Sequence, residues 1–265
     1  MQLAGATVLL TGATGGIGRA AARSLSARGA RVLLSARREE LLDEIRAELG
    51  GGALTLPADL SDPAGVRDLA DRAGEVDVLV ANAALPASGS LDDLSPAEID
   101  RALDVNLRAP IQLTRALLPG MIHRGRGHLL YVSSLSGKAA SPRGSLYSAT
   151  KFALRGFASG LREDLAETGV GVTVVYPGFI SDAGMLADSG AKLPWWVGTR
   201  TAEQVAAAVV RGIEEERAEI DVAPLGLRAG SAVASLAPVT AARVQRRLGS
   251  HGIAERISRG QRDKR

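Results

Sequence analysis

The chain has 265 residues, 46% hydrophobic and 23% charged, a composition that fits one globular domain and excludes disordered and fibrous architectures. It has no cysteine, which removes disulfides, thiolate zinc sites, iron–sulfur clusters and cysteine nucleophiles together. The net charge of +3 is unevenly placed, because residues 228–265 hold nine Lys/Arg against only Glu255 and Asp263, so the basic character belongs to the tail.

Three histidines, His123, His128 and His251, are too few and too isolated from carboxylates for a metal site or a Ser-His-Asp hydrolase. Aromatic residues amount to 3% and acidic ones run through the body, so no nucleic-acid face is expected. No stretch approaches the roughly 18 apolar residues of a membrane span, and the start of the chain lacks a basic leader. A soluble, cytoplasmic protein is expected.

In chain order, short apolar runs at 6–10, 30–35, 53–56, 76–81, 128–132, 171–175 and 219–222 predict seven strands. Helical periodicity lies between them, as at 20–27 and 39–49. Asp62-Pro63, the capping box Ser95-Pro96-Ala97-Glu98 and a second box, Thr201-Ala202-Glu203-Gln204, mark helix starts. Near-continuous apolar strands alternating with helices predict an α/β fold, a doubly wound, parallel, seven-stranded sheet with helices on both faces. Residues 1–227 form one domain in this reading. Residues 228–265 form a basic helical extension, with a helix, Pro238, a second helix to Leu248, and a short helical piece before a polar end expected to fray.

The first strand runs into Thr11-Gly12-Ala13-Thr14-Gly15-Gly16-Ile17-Gly18, after which a helix begins. Glycines there permit a tight turn and a close approach of backbone to a pyrophosphate, whose charge meets free N–H groups at the helix start. The second strand ends in Ala36-Arg37-Arg38, with no Asp or Glu at its tip to bind a ribose 2′-hydroxyl. An arginine there pairs with a 2′-phosphate, so NADP(H) is favoured over NAD(H), with Arg37 the reader. Farther on, Tyr147 and Lys151 are i and i+4 neighbours on one helical face. An ammonium beside a phenol favours phenolate, which suits an acid/base that trades a proton with an alcohol or ketone. Ser134, thirteen residues earlier and just after a strand, is placed to donate to the same substrate oxygen.

These motifs in this order resemble the classical short-chain dehydrogenase/reductase family, over about residues 5–223, and a Rossmann-like sheet is what the resemblance implies. It implies that Thr11, Gly12, Thr14, Gly16, Ile17 and Gly18 hold the dinucleotide. Asp59 and Leu60 would meet the adenine, Asn82 the cofactor ribose, and Pro177-Gly178 the nicotinamide. Asn106, Ser134, Tyr147 and Lys151 would form a catalytic tetrad, with Lys151 holding the ribose and Asn106 positioning a water that relays protons to it. Two departures stand out: Ala81-Asn82-Ala83-Ala84 replaces the usual two asparagines, alanine and glycine, and Ser181-Asp182 stands where a threonine commonly binds the carboxamide.

The expected activity is NADP-dependent interconversion of an alcohol with its aldehyde or ketone, Tyr147 serving as acid/base. The alternatives are an NAD-linked hydroxy-lipid or steroid dehydrogenase and a non-catalytic dinucleotide sensor. Leu135, Leu186, Trp195 and Trp196 are assigned to a hydrophobic substrate. Family helices near Asn106 and Tyr147 pair about two-fold axes. Here Phe152, Leu154, Phe157 and Leu161 exceed what the core needs, which predicts a homodimer or homotetramer. The basic tail suits either docking on the body of the protein or weak contact with an anionic membrane surface.

Overall fold

The computed structural model describes residues 1–50, 52–191, 193–194, 197–247 and 250–261; Trp195 and Trp196 lie outside the described residues. Seven strands, β1 (Thr7–Thr11), β2 (Arg31–Ser35), β3 (Leu54–Thr55), β4 (Val78–Ala81), β5 (Gly127–Val132), β6 (Val170–Pro177) and β7 (Glu219–Val222), form one sheet. Its order is β3-β2-β1-β4-β5-β6-β7, and every pairing is parallel. β3 spans two residues where four are predicted. Leu56 and Ala58 still donate to Leu34 and Ala36, but Pro57 between them has no N–H and ends the regular ladder.

Strand residues alternate between two cores with a period of two. Val8, Leu10, Val32 and Leu34 face one side, where α1 (Gly16–Ser26), α2 (Glu39–Leu49) and α8 (Ala202–Glu214) cover them. Leu9, Leu33, Leu79 and Leu129 face the other, under α3 (Pro63–Ala73), α5 (Ala109–His123) and α6 (Ser145–Asp164). Truncating Leu9 or Leu34, both fully buried, to alanine costs about 2–5 kcal/mol by the usual cavity rule. The caps form as the sequence sets them: Asp62 accepts from Ala64 N at 2.9 Å and Gly65 N at 3.2 Å, and both boxes close reciprocally.

The chain winds from β1 outward to β3, then returns to β4 on the other side of β1. The crevice at the C-terminal ends of β1 and β4 is therefore the switch point where ligands of such sheets bind. α4 (Pro96–Leu103) follows β4 in the chain, and the short α7 (Gly184–Ser189) follows β6, with Ala183 just before it packed against Gly16.

One expectation changes with the fold. Leu154 is fully buried in the second core, and Phe157 packs edge-on against Tyr131 with ring centroids 5.8 Å apart, so both serve the sheet. Phe152 alone of the predicted surplus faces out substantially. The tail runs as α9 (Leu225–Leu236), α10 (Pro238–Arg247) and α11 (Ser250–Arg259), the helices that the sequence sets out, with Gln261 buried after them; residues 262–265, in the polar end expected to fray, lie outside the described residues. α9 is turned inside out. Leu225, Ala229, Ala232, Val233 and Leu236 are exposed at helical spacing while Ser231 and Ala234 face the body. No helix among the described residues is long and apolar enough to cross a membrane.

Candidate active site

In the glycine loop after β1, Gly12, Gly16 and Gly18 each remove a collision. Gly12 has φ +67, and a Cβ on it would come within 2.7 Å of Ala83 Cα. On Gly18 it would meet Gly12 O at 2.1 Å, and on Gly16 it would meet Ala183 Cβ at 2.5 Å. α1 then starts from Gly15 with no side-chain cap, and Gly15 and Gly16 are exposed. Its first N–H groups are thus open to an anion. Thr14 and Ile17 are half-buried on the same turn.

Thr11 and Asn82, both assigned to the dinucleotide, are committed to one another across the crevice. Thr11 Oγ1 accepts from Asn82 N (3.1 Å) and Ala83 N (3.2 Å), and Asn82 Nδ2 donates to Thr11 O (3.1 Å) and Gly12 O (3.2 Å). Their side chains set the width of the crevice and leave the backbone around them to line it. Asp59 is exposed at the end of the third strand segment, and Leu60 beside it is buried in the second core. Partial burial raises the Asp59 pKa, but the Ser61 N–H and hydroxyl, with Arg37 and Arg101 behind them, hold the carboxyl below its ordinary value. Arg37 and Arg38 are exposed, and among the described residues neither side chain makes a hydrogen bond or close ion pair, Arg37 acting on Asp59 only at longer range.

Ser134 leaves β5 ahead of a single 3₁₀ turn, Leu135–Gly137. Its Oγ accepts from Ser136 N at 3.1 Å and lies 3.5 Å from Pro177 O. Tyr147 and Lys151 lie in the first two turns of α6. Lys151 is 2% exposed, and its Nζ donates to Val132 O at 3.0 Å. That ammonium lies 5.7 Å from the centre of the Tyr147 ring.

In the ligand-free chain the surroundings of Tyr147 oppose the expected phenolate. Burial pushes the Tyr147 pKa up to about 12, against a smaller lowering by the Ser134 hydroxyl, and burial pulls Lys151 down to about 8. Loss of water outweighs the cation at this separation. Tyr147 therefore holds its proton at neutral pH.

Asn106 is 1% exposed within a π-helical turn, Asp104–Arg108. Its Oδ1 accepts from Leu85 N at 2.7 Å and its Nδ2 donates to Leu85 O at 3.0 Å. The side chain is thus an anchor for the loop after β4, with one bond made at each end of its amide. Its main-chain carbonyl lacks its α-helical donor, because residue 110 is proline.

At the end of β6, Gly178 has Ala223 and Leu135 within 3.5 Å of where its Cβ would be, so Pro177-Gly178 lies tight against the sheet. The departure at Ser181-Asp182 has a structural reason: Asp182 Oδ1 accepts from Ala202 N (3.0 Å) at the start of α8, and Ser181 Oγ donates to Arg200 O (3.3 Å). Leu135 is half-buried below this end and Leu186 is buried in α7.

A charged cluster behind Ser134 was not foreseen. Lys138 Nζ lies 2.7 Å from Asp221 and 3.0 Å from Glu219, and 4.0 Å from the centre of the Tyr176 ring. Glu219 also accepts from Tyr176 OH (2.8 Å) and Arg155 Nε (3.1 Å). The signal was present as two acids two positions apart on the last strand, hence on one face, but their partner lies 83 residues away. No group of His, Asp or Glu suited to a metal ion occurs among the described residues.

Taken together, an uncapped helix start framed by glycines, an exposed arginine at the tip of β2 and a buried ammonium with one protein acceptor fit a nicotinamide dinucleotide. Comparison with known proteins agrees. The chain is 37% identical to a ketoacyl reductase, HetN, of Nostoc sp. over 228 residues, covering 83% of this chain and 79% of that one. Among solved structures, a metagenomic short-chain oxidoreductase in complex with NADP superposes with a TM-score of 0.70 at 34% identity, covering 84% of this chain and 97% of that one. A short-chain dehydrogenase from Sphingobium yanoikuyae in complex with NADPH gives 0.77 at 27%, covering 90% and 93%. A family profile described as short chain dehydrogenase matches residues 6–194, and on these grounds the chain belongs to the short-chain dehydrogenase/reductase family, oxidoreductases that act on CH–OH groups.

Proposed function

We propose that the protein is an NADP(H)-dependent oxidoreductase that interconverts a hydrophobic alcohol and its aldehyde or ketone. The observation that carries this reading is Lys151, an almost wholly buried cation with one protein acceptor, standing on one helix with Tyr147 beside the glycine loop. A buried ammonium demands further acceptors, and ribose hydroxyls supply them. When bound, the reduced nicotinamide supplies the hydride. Tyr147, protonated at neutral pH, gives its proton to the substrate oxygen as charge develops there, and the Ser134 hydroxyl donates to the same oxygen. The Asn106 carbonyl is the acceptor for a water that resupplies the proton through Lys151. Leu135 and Leu186 give the pocket its apolar character.

Coenzyme preference rests on Arg37. Replacing it with aspartate removes two charge-assisted bonds to the 2′-phosphate and places a repelling carboxylate there. In Arg37→Asp the ratio of NADPH to NADH affinity, measured by calorimetry, should fall at least about 30-fold. An unchanged ratio refutes the phosphate reading.

We also propose that α9 and α10 rest on an anionic membrane surface. Leu225, Val233, Leu236, Val239 and Val244 are all more than half exposed, and Arg228, Arg243 and Arg246 are exposed on the same two helices. A two-fold contact through this face would set like charges against each other, whereas anionic lipid complements them. The full chain should sediment with phosphatidylserine-containing vesicles at low salt and be released at high salt, and Val233→Glu/Leu236→Glu should not bind. Wild type that stays in the supernatant at low salt contradicts this.

A further inference from the structure

Gln261 is 1% exposed, although it lies in the polar end of the chain. Burying an amide is unfavourable unless both of its ends are satisfied. Here they are: Oε1 accepts from the Ser88 hydroxyl and Nε2 donates to Met185 O at 2.8 Å. Ser88 belongs to the loop after β4 and Met185 to α7, two segments that leave different strands. Just before this amide, Gly260 rests on the end of α7 so closely that a Cβ would stand 2.6 Å from Ser189 Cα. Ser258, one turn earlier, is also buried.

Both partners lead directly to the chemistry. Ala87, next to Ser88, is buried in a small cluster with Leu94, Ala102 and Leu146, against which Tyr147 packs. Gly89 N donates to Arg143 O at 2.7 Å, tying that loop to the approach to α6. On the other side, Ala183 precedes α7 and fills the space above Gly16 of the glycine loop. A continuous path therefore runs from Gly16 through Ala183, α7, Gln261 and Ser88 to Tyr147.

We infer that Gln261 is a positioning residue for the substrate pocket: it fastens α7 to the loop after β4, so that the last turn of the tail closes one side of the pocket that Tyr147 serves. This rests on the reading of Tyr147 as the acid. The tail then governs how firmly a carbonyl is held against Tyr147, without touching the substrate. Its loss should loosen substrate binding and leave the dinucleotide site, anchored by Thr11 and Asn82, as it was.

The test uses the full-length protein with two substitutions. Gln261→Leu keeps the volume and removes both bonds, and Gln261→Glu keeps the acceptor for Ser88 but sets a carboxylate against Met185 O. With an aryl alkyl ketone reduced by the wild type, both variants should show KM raised about tenfold, with kcat and NADPH affinity within about twofold. Without substrate, amide hydrogen exchange at 184–190 should speed up at least about tenfold in both, while that of β1 and α1 stays unchanged. A purely structural role would instead lower Tm and NADPH affinity together. Unchanged exchange at 184–190 in the Leu variant overturns the inference, as does an unchanged KM. If the wild type reduces no carbonyl compound, the functional reading fails instead, and the exchange experiment still decides whether Gln261 holds α7.

Discussion

The Tyr147→Phe enzyme is expected to lose roughly a thousandfold in kcat for carbonyl reduction while its affinity for NADPH stays within about twofold. The ring is half-buried against Leu146 and Ala87 and keeps its packing, so only the hydroxyl is removed. The pH profile of the wild type follows from the same environment. Because burial holds the Tyr147 proton to about pH 12 in the ligand-free protein, Tyr147 itself should impose no decline of reduction through neutral and mildly alkaline pH, and a decline there should follow Lys151, which titrates near 8. Oxidation of the alcohol requires the deprotonated group and should rise with pH over that range. Rapid-mixing measurement of kcat in both directions, on wild type and variant, checks both statements.

Lys151→Met should abolish turnover to a similar extent and yet leave the ligand-free protein more stable. Lys151 has a native pKa of about 8 because of burial, below the ordinary 10.5. Keeping it charged at neutral pH costs about 3 kcal/mol, as one pKa unit corresponds to 1.4 kcal/mol. Methionine removes that cost. It leaves Val132 O without its donor, which returns about 1 kcal/mol, so a net gain of about 2 kcal/mol is expected. In a chain of this size that raises Tm by about 5 °C.

The pH dependence separates the two proteins further. The native state releases the Lys151 proton near pH 8 while the unfolded chain keeps it to about 10.5, so between these values the unfolded state binds more protons. Wild-type stability should therefore climb with pH in that window. The climb should be absent in Lys151→Met. Above pH 10 Tyr147 acts with the opposite sign, since the native state keeps a proton that the unfolded chain loses. Thermal melts in the absence of dinucleotide measure all of this, and a Lys151→Met protein less stable than wild type at pH 7 contradicts it.

The sheet was legible because its inner strands are buried on both faces and written as apolar runs, and because capping residues such as Asp62 and Thr201 punctuate the helices. Ser134, Tyr147 and Lys151 were legible because they lie within eighteen residues of one another on a strand end and a helix. Their protonation was not. It depends on how much water the fold removes from Tyr147 and Lys151, which local spacing does not encode. Thr11 and Asn82 were placed in the right crevice, but their bonds to each other join residues 71 apart. Gln261 was hidden for the same reason, since it looks like one more polar residue in a basic tail until Ser88, 173 positions earlier, is brought beside it. Leu154 misled because an apolar residue on an amphipathic helix looks the same whether it faces a sheet or a sister subunit.

The central claim, that Tyr147 protonates a carbonyl oxygen while NADPH gives up hydride, is tested most directly by the rate of NADPH absorbance loss with a panel of hydrophobic ketones and aldehydes, followed with wild type and Tyr147→Phe side by side. Wild type is predicted to oxidise NADPH in step with the appearance of one alcohol per dinucleotide, and Tyr147→Phe to do so roughly a thousandfold more slowly. Equal rates in the two proteins, or no wild-type consumption of NADPH with any carbonyl compound although NADPH binds, would contradict it.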